Sequence, residues 1–308
     1  MIDPAGVTGT ATQPPPGRSA GRPRPAQPWW FLAPAFAVLI VFFLVPTLYN
    51  LIYAFTDWSS FKTAINPVGL DNFRALLGNG VLLTDLRTTV IYAALVALFQ
   101  NLFGLVLALL LEADTRLNRF ARVMFFIPVV MSALAVGYIF QALLKPSGAL
   151  NSVLGWVVGH EVQHAWLADS WTLLYVALIH SWKWMGLAML IYLAGLKTIS
   201  VDVLEAARID GAGAWQTFRR VRFPLLAPAV TFNVATALLG SMNSFDIVQA
   251  TTGGGPAQST EILNIFIYRT FGQGLFAQAT TMSLVLLLVI ALMAFPTIWL
   301  LRRREQAL

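Results

Sequence analysis

Three groups of residues in this chain have types and spacings that suit chemistry. His160-Glu161-Val162-Gln163-His164 is a literal His-Glu-x-x-His. On a helix that spacing sets two imidazoles on one face as zinc ligands, with the glutamate as general base of a metalloprotease. The remainder of such a site is absent from the text. The extended pattern needs glycine where Leu167 stands and histidine where Ser170 stands. Asp169 is not at a usual ligand spacing, the next glutamate is Glu205, and Gly159 weakens a helix at this point. A solvated loop is the better reading and no metal is assigned, with a membrane zinc metalloprotease kept as the distant alternative.

The second group is Trp182-Lys183-Trp184, a lone cation inside a long apolar run. Aromatic faces suit sugar rings and a cation suits polar or anionic groups, so the trio reads as a lining of a solute path. Lys183 pairing with a carboxylate of another subunit is the competing reading. The third group is Asn233, Thr236, Gly240 and Asn243, which share one helical face by their spacing, with Ser244 and Asp246 just beyond. Such a face either hydrogen-bonds a polyhydroxylated solute across a cavity or packs against a neighbouring helix. Gln100 and Asn101 have the same character, whereas His180 beside Trp182 reads as a satisfied packing residue.

The elements that must position these groups follow from composition. Of 308 residues, 57% are hydrophobic and only 11% charged, against a charged fraction near 25% in ordinary soluble domains. So few charges cannot cover a water-soluble surface of this size, and an integral membrane protein is implied. Six apolar stretches are long enough to cross a bilayer, near 30–54, 87–111, 121–144, 171–196, 224–249 and 278–301. Runs such as Leu284 to Leu292 do not alternate, which excludes barrel strands. Trp29, Trp30, Trp58, Trp171 and Trp299 fall near span ends, as interfacial aromatics do. Pro34 and Pro46 are expected to kink the first span unless the freed carbonyls find partners. Residues 1–28 hold seven prolines and four glycines and read as a disordered cytoplasmic tail rather than a secretory signal. Residues 29–302 form the six-helix domain, and 303–308 a second short tail.

The net charge of +6 has a topological meaning. With both termini on one side, that side carries 14 of the Lys and Arg residues and the other carries 5, Lys183 lying within a span. The positive-inside rule then makes both termini cytoplasmic, and nucleic acid is excluded as the reason for the basic balance. The sequence has no internal repeat strong enough to argue for an ion-driven secondary transporter. Cysteine is absent, which excludes disulfides, Cys-ligated metals and a Cys nucleophile. No Gly-x-x-x-x-Gly-Lys-Ser/Thr loop exists to cradle phosphates.

The longest cytoplasmic loop, about 197–224, reads as a helix, a break and a second short helix. Ser200 can cap the first, with Asp202 and Glu205 where the helix dipole favours negative charge. Gly211 and Gly213 permit the break, and Pro224 opens the next span. Glu205, Ala206, Ala207, Gly211 and Pro224 fit the spacing of the EAA loop of ABC importer permeases. Val221 and Phe223 stand in for that loop's apolar positions. Asp210-Gly211-Ala212, Phe218, Pro224-Leu-Leu-Ala-Pro228, Leu193-Ala-Gly-Leu196 and Gly69-Leu-Asp-Asn-Phe73 narrow the resemblance to the carbohydrate-type permeases, those of maltose and glycerol phosphate. So does Phe245-Asp246 followed by Thr252-Gly-Gly-Gly-Pro256. A permease for phosphate or an amino acid fits the flanking pattern less well.

The resemblance implies an all-α, six-span ABC importer permease fold in a bacterial inner membrane. It implies a pore subunit and not an enzyme, with ATP and magnesium bound by two partner ATPase subunits and no cofactor in this chain. The other implied partners are a second homologous permease, an extracytoplasmic solute-binding protein and a carbohydrate-type solute. In the family the first loop helix sits in a cleft of the ATPase. By position, Glu205 meets a basic residue there, Ala206 and Ala207 allow close approach, and Gly211 makes the turn.

Overall fold

A backbone in hydrocarbon must satisfy its hydrogen bonds within its own segment, so long apolar runs become helices. The computed structural model describes residues 29–306, and those residues are helical apart from their connections and one isolated bridge between Thr56 and Pro67. The expected 1–28 tail lies outside the described residues, as do residues 307–308.

Contacts divide the chain at Pro46 into two units. The first contains a 3-10 turn (Trp29–Leu32), an α segment (Ala33–Leu39) with Pro34 in its first turn, and a π-helical stretch (Ile40–Leu44). A proline in the first turn gives up an N–H that has no intrahelical partner anyway. The π-spacing just before Pro46 absorbs the clash and the lost donor that a proline otherwise imposes on the preceding turn. The same device recurs before Pro224, where Phe218–Arg222 is π-helical. With the residues that follow Pro46, these turns make one helix, α1 (Trp30–Tyr53).

From Thr47 onward the second unit contains α2 (Asp71–Gly78), α3 (Val81–Leu110), α4 (Arg116–Val130), α5 (Ala133–Leu143) and α6 (Ala149–Val158). Then come α7 (Thr172–Lys197), α8 (Val201–Ile209), α9 (Ala214–Leu225) and α10 (Ala227–Met242). The last are α11 (Asp246–Thr251), α12 (Leu263–Gly272) and α13 (Phe276–Gln306). Four helices, α1, α3, α7 and α13, are each long and apolar enough to cross a bilayer, and six spans result if each of two bent pairs counts as one.

Those bent pairs correct the picture of straight spans. The expected span 121–144 is two helices, α4 and α5, meeting at 99°. Met131 and Ser132 between them are extended, with ψ of 149° and 135°. The expected span 224–249 takes in the end of α9, a 67° bend and α10, which stops at Met242, and its last residues belong to the separate helix α11. The 16 residues of α10 rise about 24 Å. α3 begins at Val81, six residues before the expected start, and α13 continues to Gln306, past the expected end of the last span.

The second unit is assembled around α3 and α7, whose backbones approach at small residues. A Cβ added to Gly104 would stand 2.6 Å from the Ala188 Cβ, and one added to Gly186 would overlap the Phe125 carbonyl of α4. Close approach at small residues is how membrane helices gain dispersion and interhelical contact without a hydrophobic driving force. One buried cluster joins Tyr92, Val96, Val176 and Ile179 to Val248 and Ile262, and another joins Ala108, Met189 and Tyr192 to Leu226.

Candidate coupling loop and solute path

The loop between α7 and α10 is built by its caps. Ser200 is extended, and its Oγ accepts from the Asp202 N–H at 3.3 Å, with Asp202 in the first turn of α8. α8 ends in a Schellman arrangement: the Gly211 N–H donates to the Arg208 carbonyl and the Ala212 N–H to the Ala207 carbonyl, both at 3.0 Å. That closure requires a left-handed residue, and Gly211 supplies φ of +78°. Gly213 has φ of −69°, which any residue adopts, so only the first of the two glycines is demanded by the turn. The Gln216 side chain then accepts from the Gly213 N–H at 3.2 Å and starts α9.

Glu205, Ala206, Asp210 and Gly211 are exposed and Ala207 is half-buried. Ile209 at 86% and Trp215 at 68% exposure present apolar surface on the same projection. Phe218 and Pro224, further along, are half-buried, and the Phe218 ring lies 5.9 Å from that of Phe223. An exposed carboxylate beside small residues and large exposed apolar side chains has the make-up of a docking surface. Arg222 turns back instead, donating to the Glu112 carboxylate beyond the end of α3 at 2.7 Å. Sequence reasoning did not single out Glu112, whose only signal is an acid directly after a long apolar span.

The polar residues of the spans fall into two sets. Asn233 is buried and donates to the Ala188 carbonyl at 3.3 Å, joining α10 to α7. Asn101 accepts from the Tyr192 hydroxyl at 2.7 Å, and Gln100 is buried beside it. Ser244 is buried in a cluster with Tyr92 and His180: the Tyr92 hydroxyl lies 2.8 Å from His180 Nδ1 and 3.3 Å from Ser244 Oγ. His180 is thus a satisfied interior residue. Lys183, 2% exposed, donates to the carbonyls of Val129 (3.1 Å) and Pro128 (3.4 Å). It caps the C-terminal end of α4 at the 99° break, where a cation complements the helix dipole, and its ammonium stands 4.2 Å from the Trp184 ring centroid. Trp182 is half-buried, edge-on to Phe140 at 5.2 Å.

The second set is open. Thr236, Gly240, Asn243 and Asp246 are exposed, and the first three continue as one uncovered strip along α10. At Asn243 that strip opens into a cleft of about 320 Å³ lined by Phe245, Asn264, Ile267, Tyr268 and Phe271. Tyr268 and Phe271 are more than half exposed, and the Phe245 and Tyr268 rings lie 4.9 Å apart. These aromatics of α12 were not legible as site residues, because α12 lies 20 residues beyond α10 and nothing local marks the pairing.

The His-Glu-x-x-His segment is not a helix: α6 ends at Val158, Gly159 is left-handed, and residues 160–165 are irregular. His164 Nε2 faces Asp169 Oδ2 at 3.0 Å, and His160 Nδ1 lies 3.2 Å from the Glu161 carbonyl. The two imidazoles therefore do not share a helical face.

Comparison with known proteins agrees with this geometry. The family described as "Binding-protein-dependent transport system inner membrane component" matches residues 100–307. The chain is 31% identical over 284 residues to the probable starch degradation products transport system permease protein AmyD of Thermoanaerobacterium thermosulfurigenes, covering 90% of this chain and 94% of that protein. It is 31% identical over 286 residues to the lactose transport system permease protein LacF of Rhizobium radiobacter, covering 90% and 94%. The sn-glycerol-3-phosphate transport system permease protein UgpA of Agrobacterium fabrum is 31% identical over 281 residues, covering 89% and 94%. Among solved structures, a bacterial ABC transporter involved in import of the acidic polysaccharide alginate shares the fold, with a TM-score of 0.74 at 21% identity over 89% of this chain and 94% of that one.

Proposed function

Because the chain belongs to the family of binding-protein-dependent transport system inner membrane components, we propose that it forms half of the pore of an ABC importer that brings a carbohydrate or related polyhydroxylated solute into the cytoplasm. Permeases of this family are not enzymes, and ATP is hydrolysed in separate subunits. The relatives named for starch products, lactose and glycerol phosphate support the solute class. A neighbour solved with an alginate-loaded periplasmic protein supports a solute-binding protein as partner. In this reading a second, homologous permease completes the pore and two ATPase subunits dock below. ATP-driven closure moves α8 and the bundle alternates between outward and inward access. Both termini lie in the cytoplasm by the distribution of Lys and Arg.

The observation that carries the proposal is the exposed α8 knob, with Glu205 and Ala206 uncovered beside Ala207 and the chain reversed by a left-handed Gly211. A carboxylate there can meet a cation of the ATPase in a charge-assisted contact of about 1.5–3 kcal/mol. Thr236, Gly240, Asn243 and Asp246 are the solute-facing residues of this subunit, and the aromatic cleft beyond Asn243 suits the face of a sugar ring. Asn233, Ser244 and Lys183 hold the helices that carry them, and Trp182 and Trp184 flank Lys183. The test is copurification and stimulation. Glu205→Arg should leave the protein inserted but abolish ATP hydrolysis stimulated by solute-loaded binding protein. Normal stimulation in that variant overturns the assignment. A thermal-shift screen of the binding protein against a carbohydrate panel identifies the solute.

A further inference from the structure

The coupling loop reaches α7 and α10 through the chain itself, since Ser200 follows α7 and Leu226 leads into α10. It has no such connection to α3 or α4, yet both must move if the bundle is to reorient. Two arginines bridge the gap. Arg222, in the π-helical turn of α9, donates to Glu112 Oε1 at 2.7 Å. Both side chains are partly withdrawn from solvent, at 24% and 31% exposure, and among the described residues this is the ion pair that joins the loop to another span. Arg122, in the second turn of α4 and 14% exposed, donates from Nε and Nη2 to the Leu111 carbonyl at 3.0 and 2.6 Å, and from Nη2 to those of Glu112 and Ala113 at 3.1 Å. These three carbonyls follow directly on the C-terminal end of α3 at Leu110, and the Ala113 carbonyl also accepts from the Asn118 side chain at 2.9 Å, so a cation there is favoured by the dipole as well.

We propose that Arg222, Glu112 and Arg122 form a clasp that makes the cytoplasmic ends of α3 and α4 move as one body with the coupling loop. They act as positioning residues for transmission of the ATPase stroke. The geometry favours this over a surface ion pair without consequence. Glu112 is held at its backbone by one arginine and at its carboxylate by the other. Arg222 stands two residues before Pro224, where the loop turns into the membrane. The inference rests on the transport reading above.

The absence of cysteine gives a clean background for the test. In the assembled complex in proteoliposomes, Glu112→Gln and Arg222→Gln should each retain the ATPase subunits and the unstimulated ATP hydrolysis. Solute moved per ATP should fall by about two- to fivefold, the scale of a partly exposed ion pair. The reversed pair, Glu112→Arg with Arg222→Glu, should recover most of that loss, which a merely structural role for either residue does not predict. Glu112→Cys with Arg222→Cys, joined by a bifunctional thiol reagent, should also regain coupling, because the two segments never need to separate. Wild-type coupling in the single variants, no recovery in the reversed pair, or arrest on crosslinking each overturns the clasp. A parent chain that binds no ATPase overturns the transport reading itself, whereas a crosslink formed in the Glu112→Cys, Arg222→Cys variant reports the proximity of the two segments independently of that reading.

Discussion

Two glycines two residues apart separate backbone strain from every other effect in the coupling loop. Gly211 has φ of +78° and Gly213 has φ of −69°, and a Cβ added to either meets no atom within 4 Å. Steric overlap is therefore absent at both, and the difference between them is conformational. Placing Ala at Gly211 forces an L side chain into the left-handed region at a cost of about 1–2 kcal/mol. Either that cost is carried or the Schellman closure on Ala207 and Arg208 opens, tilting α8 away from the ATPase subunit proposed to receive it. A penalty of that size is a factor of about 5–30 in the population of the docking-competent loop. Gly213→Ser puts a favoured N-cap residue into an extended conformation that it adopts freely, so its cost is near zero. The assay is titration of purified ATPase subunits onto the permease pair in nanodiscs, reading the concentration that half-saturates stimulated ATP hydrolysis. That concentration should rise by about 5–30-fold for Gly211→Ala and stay unchanged for Gly213→Ser. Equal effects, or the larger effect at Gly213, refute the reasoning.

Other variants address the remaining parts. Lys183→Met strips two carbonyls at the α4 break of their donor and should lower stability by about 1–3 kcal/mol, taking membrane hydrogen bonds at about 0.6–1.7 kcal/mol each. Thermal unfolding in detergent checks this, and Lys183→Arg should recover part of the loss by keeping a cation at the helix end. Tyr268→Ala should raise the KM of transport about two- to tenfold at saturating binding protein, the worth of an aromatic stacking contact. Maximal rate should hold, and an unchanged KM removes the cleft from the solute path. On the connection between α1 and α2, Lys62 and the Asn66 N–H hold the Asp57 carboxyl from 3.8 down to about 2. A depressed carboxylate contributes fully above its ordinary value and is lost as pH falls through the folded one. Trp58 fluorescence should therefore stay constant down to pH 3.8 and change as pH approaches about 2, whereas Asp57→Asn should show no such transition.

The long helices and the loop are legible in the sequence because both are local. An unbroken apolar run such as Val90 to Phe99 in α3 needs no partner to become a helix, and Gly211 at the close of an amphipathic stretch marks its own turn. The breaks are hidden because their causes lie elsewhere in the chain. Met131 and Ser132 carry no strong turn signal, and the end of α4 that they follow is capped by Lys183, more than 50 residues away. α10 stops at Met242, whose carbonyl accepts from Asn264 of a different helix at 3.1 Å, and Asn264 donates to the Ser244 carbonyl beyond it at the same distance. Asn233 through Asn243 share a face by angle, but burial sorts them, and burial depends on where α7 lies. Asn233 faces Ala188, while Thr236, Gly240 and Asn243 face outward. For Lys183 the apolar flanks announce a buried cation without saying that backbone oxygens receive it.

The interruption after Met242 has a mechanical consequence. A continuous helix is a stiff rod, and a twist applied at one end arrives at the other through its hydrogen-bond ladder. Here the ladder stops, and Ser244 is anchored sideways, to Asn264 and to the Tyr92–His180 pair. In the proposed transport cycle, a twist entering α10 from the coupling loop meets that joint before α11. The segment beyond has hydrogen bonds of its own, with Thr260 donating to the Gly255 carbonyl and its hydroxyl 2.7 Å from that of Thr252. Under that proposal, a joint of this kind lets the solute-binding protein remain seated on the far face while α10 turns.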